Sequence, residues 1–287
     1  MAFIKNMDSR GHYFKHVLIS LISMKKFASE GKSIDNASFG LDYKVLAIIG
    51  GLIIAYQIGL FLTADDPGYN ITDTVYLMVI GLAATFGIIV AKRYWGSEVF
   101  GRSYIFLAIG YLGMLGGDLA FYYYEYILEI DPYPSPFDVG FLIGYFFLSA
   151  HLAANVRFFQ EKWKSSSKLI LIAVPLLVTS VYIVAAYTEW GEYEELPFDI
   201  FWGSLFALGS SITLAFAIIG VTVFRKSVLK EVWLLLVAGI FLGMVADVWY
   251  YYLETFEAYY SSHVVNTMWV AAYMLVIYAL IRHRKII

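Results

Sequence analysis

Eight long apolar stretches dominate the sequence and restrict what it can fold into. A helix that crosses a bilayer needs about 20 mainly apolar residues, and eight stretches meet this requirement. They are residues 44–63, 71–91, 103–128, 137–158, 168–188, 198–224, 232–253 and 263–282. Because their apolar residues are continuous rather than alternating with polar ones, they do not indicate a transmembrane β-barrel. The sequence therefore predicts an all-α, polytopic membrane bundle of eight transmembrane helices.

The composition agrees with this prediction and excludes several kinds of site. Hydrophobic residues make up 60% of the chain and charged residues 15%, whereas soluble domains average about 45–50% and about 25%. Cysteine is absent, which excludes disulfides, thiolate metal ligands and cysteine nucleophiles. No lysine lies in the interior of a predicted span, because Lys44 and Lys168 stand at span ends, which excludes a retinal Schiff base of the rhodopsin kind. We also expect no haem, no other cofactor and no nucleic-acid partner.

The charged residues divide between the two sides of the predicted bundle. All 20 lysines and arginines lie in the N-terminal arm, in the loops after spans two, four and six, or at the end of span eight. With eight spans these segments share one side, and the other side carries only acidic charges. The positive-inside rule then places both termini in the cytoplasm of a multi-pass cell-membrane protein. Residues 1–43 form a cytoplasmic arm, in which residues 11–28 are typical of an amphipathic helix lying in the membrane interface.

The second half of the chain repeats a pattern of the first half. Residues 116–125 (GGDLAFYYYE) and 245–254 (VADVWYYYLE) each carry an aspartate and a glutamate seven residues apart, with a tyrosine run between them. The matching pairs are Asp118 with Asp247, Glu125 with Glu254, Asp138 with Asn266, and Tyr145 with Tyr273. We predict two four-helix repeats, residues 44–160 and 165–287. They are parallel because each contains an even number of spans.

Asp118 and Asp247 are the only formal charges deep within predicted spans. An ionisable group at this depth costs about 2.5–3.5 kcal/mol on insertion scales, so it should face the bundle interior or a cavity. Helical spacing places a tyrosine and a glutamate on the same face as each aspartate. The two sets are Asp118, Tyr122 and Glu125, and Asp247, Tyr251 and Glu254. They predict an outward-opening cavity for a small cationic or polar ligand. The alternative is that each aspartate is protonated or hydrogen-bonded across helices as a structural group.

Two further residues, Asp138 and His263, are candidate ligand-binding residues near the acidic side. Asp138 follows Ser135 and Pro136, which form a helix start signal, so helix capping is its more ordinary role. The same holds for Asp73 and Asp199 in the first turns of spans two and six. His151 is the only histidine in the interior of a predicted span, since His263 stands at the start of span eight, and it is expected to be hydrogen-bonded structure. We predict no metal site.

Glycine pairs at GxxxG spacing occur in three of the predicted spans. They are Gly113 with Gly117, Gly140 with Gly144, and Gly239 with Gly243. Small residues at this spacing let two helices approach closely. We therefore predict close helix packing at these positions.

Residues 112–152 (LGMLGGDLAFYYYEYILEIDPYPSPFDVGFLIGYFFLSAHL) resemble a multi-pass membrane module found N-terminal to archaeal sensor histidine kinases and bacterial diguanylate cyclases. The matching residues are Gly117, Asp118, Glu125, Pro132, Tyr133, Pro134, Ser135, Asp138, Phe141 and Leu142. In that family the module is taken to be a signal-input region. Because this sequence carries no kinase or cyclase output domain, the resemblance implies a sensor-like protein that acts through a cytoplasmic signalling partner.

A fainter resemblance is to the lysoplasmalogenase family, whose members also have eight spans with aspartates in spans three and seven. Asp118, Asp247 and the stretch Phe141–His151 carry this resemblance. It implies that the two aspartates act as acid–base or water-activating groups on a lipid vinyl ether.

The sequence thus favours an integral membrane, sensor-like and non-enzymatic protein. Three alternatives remain open at this point: an intramembrane lipid hydrolase, a small-solute transporter built from parallel repeats, and a structural subunit of a membrane complex.

Overall fold

The structure is a computed structural model. It describes residues 41–64, 71–97, 99–130, 132–133, 138–160, 162–187, 196–227, 229–260 and 262–286. The predicted interfacial helix and almost all of the arm over residues 1–43 lie outside these described residues.

The described residues contain eight long α-helices and no strand. They are α1 (Tyr43–Leu62), α2 (Ile71–Arg93), α3 (Phe100–Tyr123), α4 (Val139–Phe159), α5 (Ser165–Tyr187), α6 (Leu196–Phe224), α7 (Lys230–Thr255) and α8 (Val264–Ile286). Each helix is long and apolar enough to cross a membrane. The prediction of an all-α bundle with eight membrane-spanning helices is therefore confirmed. A π-helical turn, Tyr124–Leu128, continues α3.

The last helix corrects one prediction. Helix α8 continues to Ile286 rather than ending at residue 282, so His283 is helical and fully buried. The prediction that His151 is the only histidine within a span is therefore wrong. The basic residues around His283 hide this extension in the sequence, because they lower the hydropathy of the last turn.

Six of the eight helices form a closed ring. In ring order they are α2, α3, α4, α6, α7 and α8, and α8 packs against α2 to close the ring. Helix α1 packs mainly on the outside of α8, and α5 packs mainly on the outside of α6. Both outer helices keep most of their apolar side chains exposed, as expected for helices that face lipid. The ring therefore encloses the interior in which a site can form.

Helices α3 and α4 approach each other through glycines. A Cβ atom at Gly140 would lie 3.0 Å from the Gly113 carbonyl oxygen and 3.2 Å from the Gly117 backbone nitrogen. The predicted close packing at these two GxxxG pairs is present. A Cβ atom at Gly117, the residue before Asp118, would likewise lie 2.9 Å from the Phe141 ring of α4.

Consecutive helices run in opposite directions, so the helix termini gather at two ends of the bundle. The end at which α2, α4, α6 and α8 begin is here called the acidic end, and the opposite end is called the basic end. Among the described residues the acidic end carries no lysine or arginine. At the basic end, Arg282 of α8 donates to the Glu231 carboxylate of α7 over 2.9 Å, and both side chains are largely buried.

The Arg282–Glu231 ion pair leads to a first prediction. We expect Glu231→Gln and Arg282→Gln to lower the unfolding temperature, and the double variant to lower it by less than the sum. The coupling energy should be about 0.5–1 kcal/mol, near the upper limit for partly exposed pairs. Thermal unfolding in detergent micelles measures it, and strictly additive effects would show that the pair does not stabilise the fold.

Candidate functional site

A cavity extends from the acidic end of the ring towards the middle of the bundle. Its volume is about 1020 Å³ when the open space at its mouth is included. All six ring helices contribute lining residues. Tyr122, Asp138, Tyr259 and Asn266 lie nearest the acidic end, and Leu148 and Val276 lie deepest.

Asp118 holds an unused hydrogen-bond acceptor at this cavity. Its side chain lies one helical turn deeper than Tyr122 and is only 7% exposed. The Tyr76 hydroxyl of α2 donates to Asp118 Oδ1 over 3.3 Å. The other oxygen, Oδ2, is buried and has no hydrogen-bond partner among the described residues. A buried carboxylate oxygen without a donor is costly, so this atom is suited to receive a donor from a ligand.

Asp247 lies across the cavity on α7 and is held differently. The indole Nε1 of Trp269 donates to Asp247 Oδ1 over 2.9 Å, and the Tyr145 hydroxyl lies beside the same carboxylate. Asp118 and Asp247 are near enough to interact electrostatically. Each aspartate therefore belongs to one shared cavity, but Asp247 is already fixed by protein donors.

Aromatic rings surround the two carboxylates. The lining includes Tyr76, Tyr111, Phe121, Tyr122, Phe141, Tyr145, Tyr250, Tyr251, Tyr259, Trp269 and Tyr273. Several of them pack edge to face, for example Tyr76 with Trp269 and Tyr273 at ring-centroid distances of 6.4 and 6.1 Å. No lysine, arginine or histidine is among the described lining residues. The negative charge of an ionised aspartate here has no cationic side chain to neutralise it.

Five of the eight predicted site residues line the cavity, namely Asp118, Tyr122, Asp138, Asp247 and Tyr251. Glu125 and Glu254 do not line it, but both lie near the lining residue Tyr259. Glu125 lies within the π-helical turn, whose wider winding interrupts the helical spacing on which its placement was based. Glu254 lies in the last turn of α7, closer to the acidic end than the lining residues of that helix.

Tyr259, in the connection between α7 and α8, is kept as a neutral hydroxyl. Burial raises the pKa of Tyr259; its hydrogen bond to Asn266 opposes this rise, and the neighbouring Glu254 and Glu125 carboxylates add to it. Its hydroxyl donates to Asn266 Oδ1 over 3.0 Å. Tyr259 and Asn266 thus form a polar, uncharged part of the cavity near its mouth.

His263 takes a structural position outside the described lining. Its Nδ1 accepts a hydrogen bond from the Val265 backbone N–H over 3.3 Å, at the start of α8. The ring packs edge to face against Trp249 and Tyr260 at 5.1 and 5.0 Å. Burial lowers the pKa of His263, which agrees with a neutral imidazole that accepts at Nδ1.

Two of the aspartates near helix starts, Asp73 and Asp138, have surroundings that differ from the capping expected of them. Asp73, in the first turn of α2, accepts from the hydroxyls of Tyr122 and Tyr126 over 3.3 and 3.5 Å, which ties α2 to α3. Asp138 is the residue before α4 but makes no capping hydrogen bond, and it is buried at the cavity. Ser135 and Pro136 lie outside the described residues.

Buried polar and aromatic side chains close the bundle below the cavity. His151 Nδ1 lies 2.8 Å from the Ser103 carbonyl oxygen, as expected for buried structure, but its Nε2 has no partner among the described residues. The Tyr104 ring packs against both His151 and His283, at 4.7 and 5.0 Å. Towards the basic end, the buried Phe224 of α6 stacks on Trp233 of α7 and packs edge to face against Phe159 of α4. The cavity therefore does not continue to the basic end through this layer.

Sequence reasoning did not single out Tyr76 and Trp269, the hydrogen-bond donors to the two aspartates. Nothing in their local sequence marks them, because each donates to an aspartate on a different helix. Tyr145 and Asn266 were noticed only as part of the repeat spacing, and that spacing was the available signal.

The chain matches no protein-family model, no curated protein and no solved structure. The chemistry of the site therefore rests on its geometry. Among the described residues, no group of three or more histidines, aspartates and glutamates is arranged to hold a metal ion. What the cavity offers is carboxylate oxygens, neutral hydroxyl groups and aromatic faces, which together can bind an organic cation.

Proposed function

We propose that this integral membrane protein binds a small organic cation in the cavity and acts as a sensor-like protein. The observation that carries the proposal is the buried Asp118 Oδ2, which has no described hydrogen-bond donor. A ligand N–H would supply that donor. A charge-assisted hydrogen bond of this kind is stronger than one between neutral groups.

The surroundings of the carboxylates support a cation rather than an anion or a neutral polar molecule. An anion would be repelled by the paired aspartates, and no described lining residue could neutralise it. A cation, by contrast, is attracted by both carboxylates and by the faces of the tyrosine and tryptophan rings. The low dielectric constant within the bundle strengthens this attraction.

An internal duplication of the site is also part of the proposal. The offset in residue number between Asp118 and Asp247 also relates each of the remaining α3 lining residues to an α7 lining residue. A similar offset relates the lining residues of α4 to those of α8. The pairs are Tyr111 with Ile240, Met114 with Gly243, Phe121 with Tyr250, Tyr122 with Tyr251, Asp138 with Asn266, Phe141 with Trp269, Tyr145 with Tyr273, and Leu148 with Val276. After α3 and α7 the chain passes through Glu129 and Glu257, with φ of 53° and 50°. These correspondences support two parallel four-helix repeats.

The distribution of charges supports the orientation and the cytoplasmic partner in this proposal. The positive-inside rule places the basic end in the cytoplasm, so the cavity opens to the outside of the cell membrane. A bound state would then be passed to a cytoplasmic protein at the basic loops. The resemblance to sensor input modules supports this part of the proposal.

Calorimetric titration tests the binding. We expect n-butylammonium to bind the wild-type protein in lipid nanodiscs saturably, and the Asp118→Asn/Asp247→Asn variant to show no saturable binding. Butan-1-ol is the matched neutral probe and should bind neither protein saturably. Equal binding of n-butylammonium to both proteins, or no binding to either, would overturn the proposal.

A lipid hydrolase is the second candidate, because both aspartates line one cavity and lie close to each other. In this case one carboxylate would activate water and the other would protonate a vinyl ether. Release of an aldehyde from a lysoplasmalogen by the wild-type protein, but not by Asp118→Asn, would establish this activity in place of sensing.

A further inference from the structure

We infer that the ligand is an amphiphilic primary ammonium ion. Its N–H group would bind Asp118, and its single apolar substituent would point towards the basic end. This inference rests on the proposed function and names the chemical class of the ligand.

The cavity has two chemically different parts. The part near the acidic end carries Asp118, Asp138, Asp247, Tyr259 and Asn266. The deeper part carries no charged side chain among its described lining residues. Besides the neutral hydroxyl groups of Tyr111 and Thr213, its lining is apolar and consists of Met114, Leu148, Gly239, Ile240, Gly243, Met244, Ala272 and Val276. A ligand that fills both parts must be charged at one end and apolar at the other, because apolar surface gains most from leaving water.

The deeper part also limits the length of the apolar substituent. From Asp247 the lining of α7 reaches Gly239, which at the rise of an α-helix is about 12 Å. Below this depth His151, His283 and Tyr104 are buried in contact with one another. A chain of intermediate length fits this space, and a much longer chain does not.

The hydrogen bonds select the head group. Asp247 Oδ1 accepts from Trp269 and Asp118 Oδ1 accepts from Tyr76, so the unsatisfied acceptor is Asp118 Oδ2. A quaternary ammonium ion has no N–H and would leave this oxygen without a donor. A linear diammonium ion would place its second charge in the deeper part, where no described carboxylate compensates its desolvation.

Gly243 provides a way to shorten the deep part. A Cβ atom there would contact only Ala272 Cβ, at 3.7 Å, and otherwise enter open space. A leucine at this lining position would therefore fill apolar cavity volume. Gly116 of α3 is the matched control, because it is exposed and a Cβ there meets nothing within 4 Å.

The experiment is calorimetric titration of n-alkylammonium ions, from methyl to dodecyl, into wild-type, Gly243→Leu and Gly116→Leu proteins in lipid nanodiscs. Asp118→Asn nanodiscs correct for partition of the probes into lipid. We expect affinity to rise about fourfold for each added methylene group, up to a middle chain length, and then to fall. Gly243→Leu should weaken the binding of hexylammonium at least about tenfold more than the binding of ethylammonium, and Gly116→Leu should match the wild type for both ions.

Each other outcome has a defined meaning. This inference would be overturned if the affinity did not depend on chain length. It would also be overturned if 1,6-hexanediammonium or hexyltrimethylammonium bound as tightly as hexylammonium. Either result would leave cation binding in place. The absence of Asp118-dependent binding for every ion would overturn the proposed function as well. The wild-type series decides between these outcomes even if Gly243→Leu does not fold.

Discussion

Asp118→Asn is expected to weaken n-butylammonium binding at least about 30-fold, and Asp247→Asn by less than about tenfold. The first change removes the charge of the carboxylate whose free oxygen would contact the ligand. Loss of one partner of a buried charged pair costs about 2–5 kcal/mol, and each 1.4 kcal/mol is a factor of ten. The second change removes a charge that acts on the ligand mainly through space, because Trp269 already bonds Asp247.

The same calorimetric titration measures both dissociation constants. Both substitutions should preserve the fold, since an asparagine Oδ1 can still accept from Tyr76 or Trp269. Unfolding temperatures without ligand serve as the control. Equal losses, or a greater loss with Asp247→Asn, would contradict the assignment of Asp118 as the contacting carboxylate.

Gly140→Val is expected to produce the largest loss of stability. Its Cβ would lie 3.0 Å from the Gly113 carbonyl oxygen and 3.2 Å from the Gly117 backbone nitrogen. These are backbone atoms, so α3 and α4 must move apart as whole helices. Overpacking of this kind costs about 1–3 kcal/mol or more, equivalent to a fall of roughly 2–10 °C in unfolding temperature for a protein of this size.

Thermal unfolding in detergent micelles measures this effect. Gly116→Val is the matched control, because it makes the same substitution where α3 is open to its surroundings. We expect its unfolding temperature to remain near that of the wild type. If Gly140→Val unfolds at the wild-type temperature, the helices do not pack through their backbones at this position.

The helices and their approximate bounds could be predicted from the sequence because a membrane-spanning helix is a local property. It depends on a run of apolar residues about as long as the bilayer is thick, and every such run is a helix in the structure. The end of α8 was missed since Arg282 and His283 read as a polar tail. There Arg282 is paired with Glu231, and His283 is enclosed by Tyr94, Phe100 and Tyr104.

The candidate site could be predicted only in part. The cost of a charge within a bilayer identified Asp118 and Asp247 as residues that face the interior, and both line the cavity. Helical spacing placed Tyr122 and Tyr251 on the same faces as the aspartates, and both tyrosines line the cavity. Helical spacing does not account for the π-helical turn that contains Glu125. The role of His263 at the start of α8 was equally hidden, because it depends on a backbone N–H two residues away.

The all-α class, the number of spans and the two inward-facing aspartates can thus be read from the sequence alone, because apolar length and the cost of buried charge are set by local composition. The ring order of the helices, the donors Tyr76 and Trp269, and the unequal hydrogen bonding of the two aspartates become visible only in the folded protein. These features depend on which residues of separate helices meet, and the glycine contacts between α3 and α4 help to determine that.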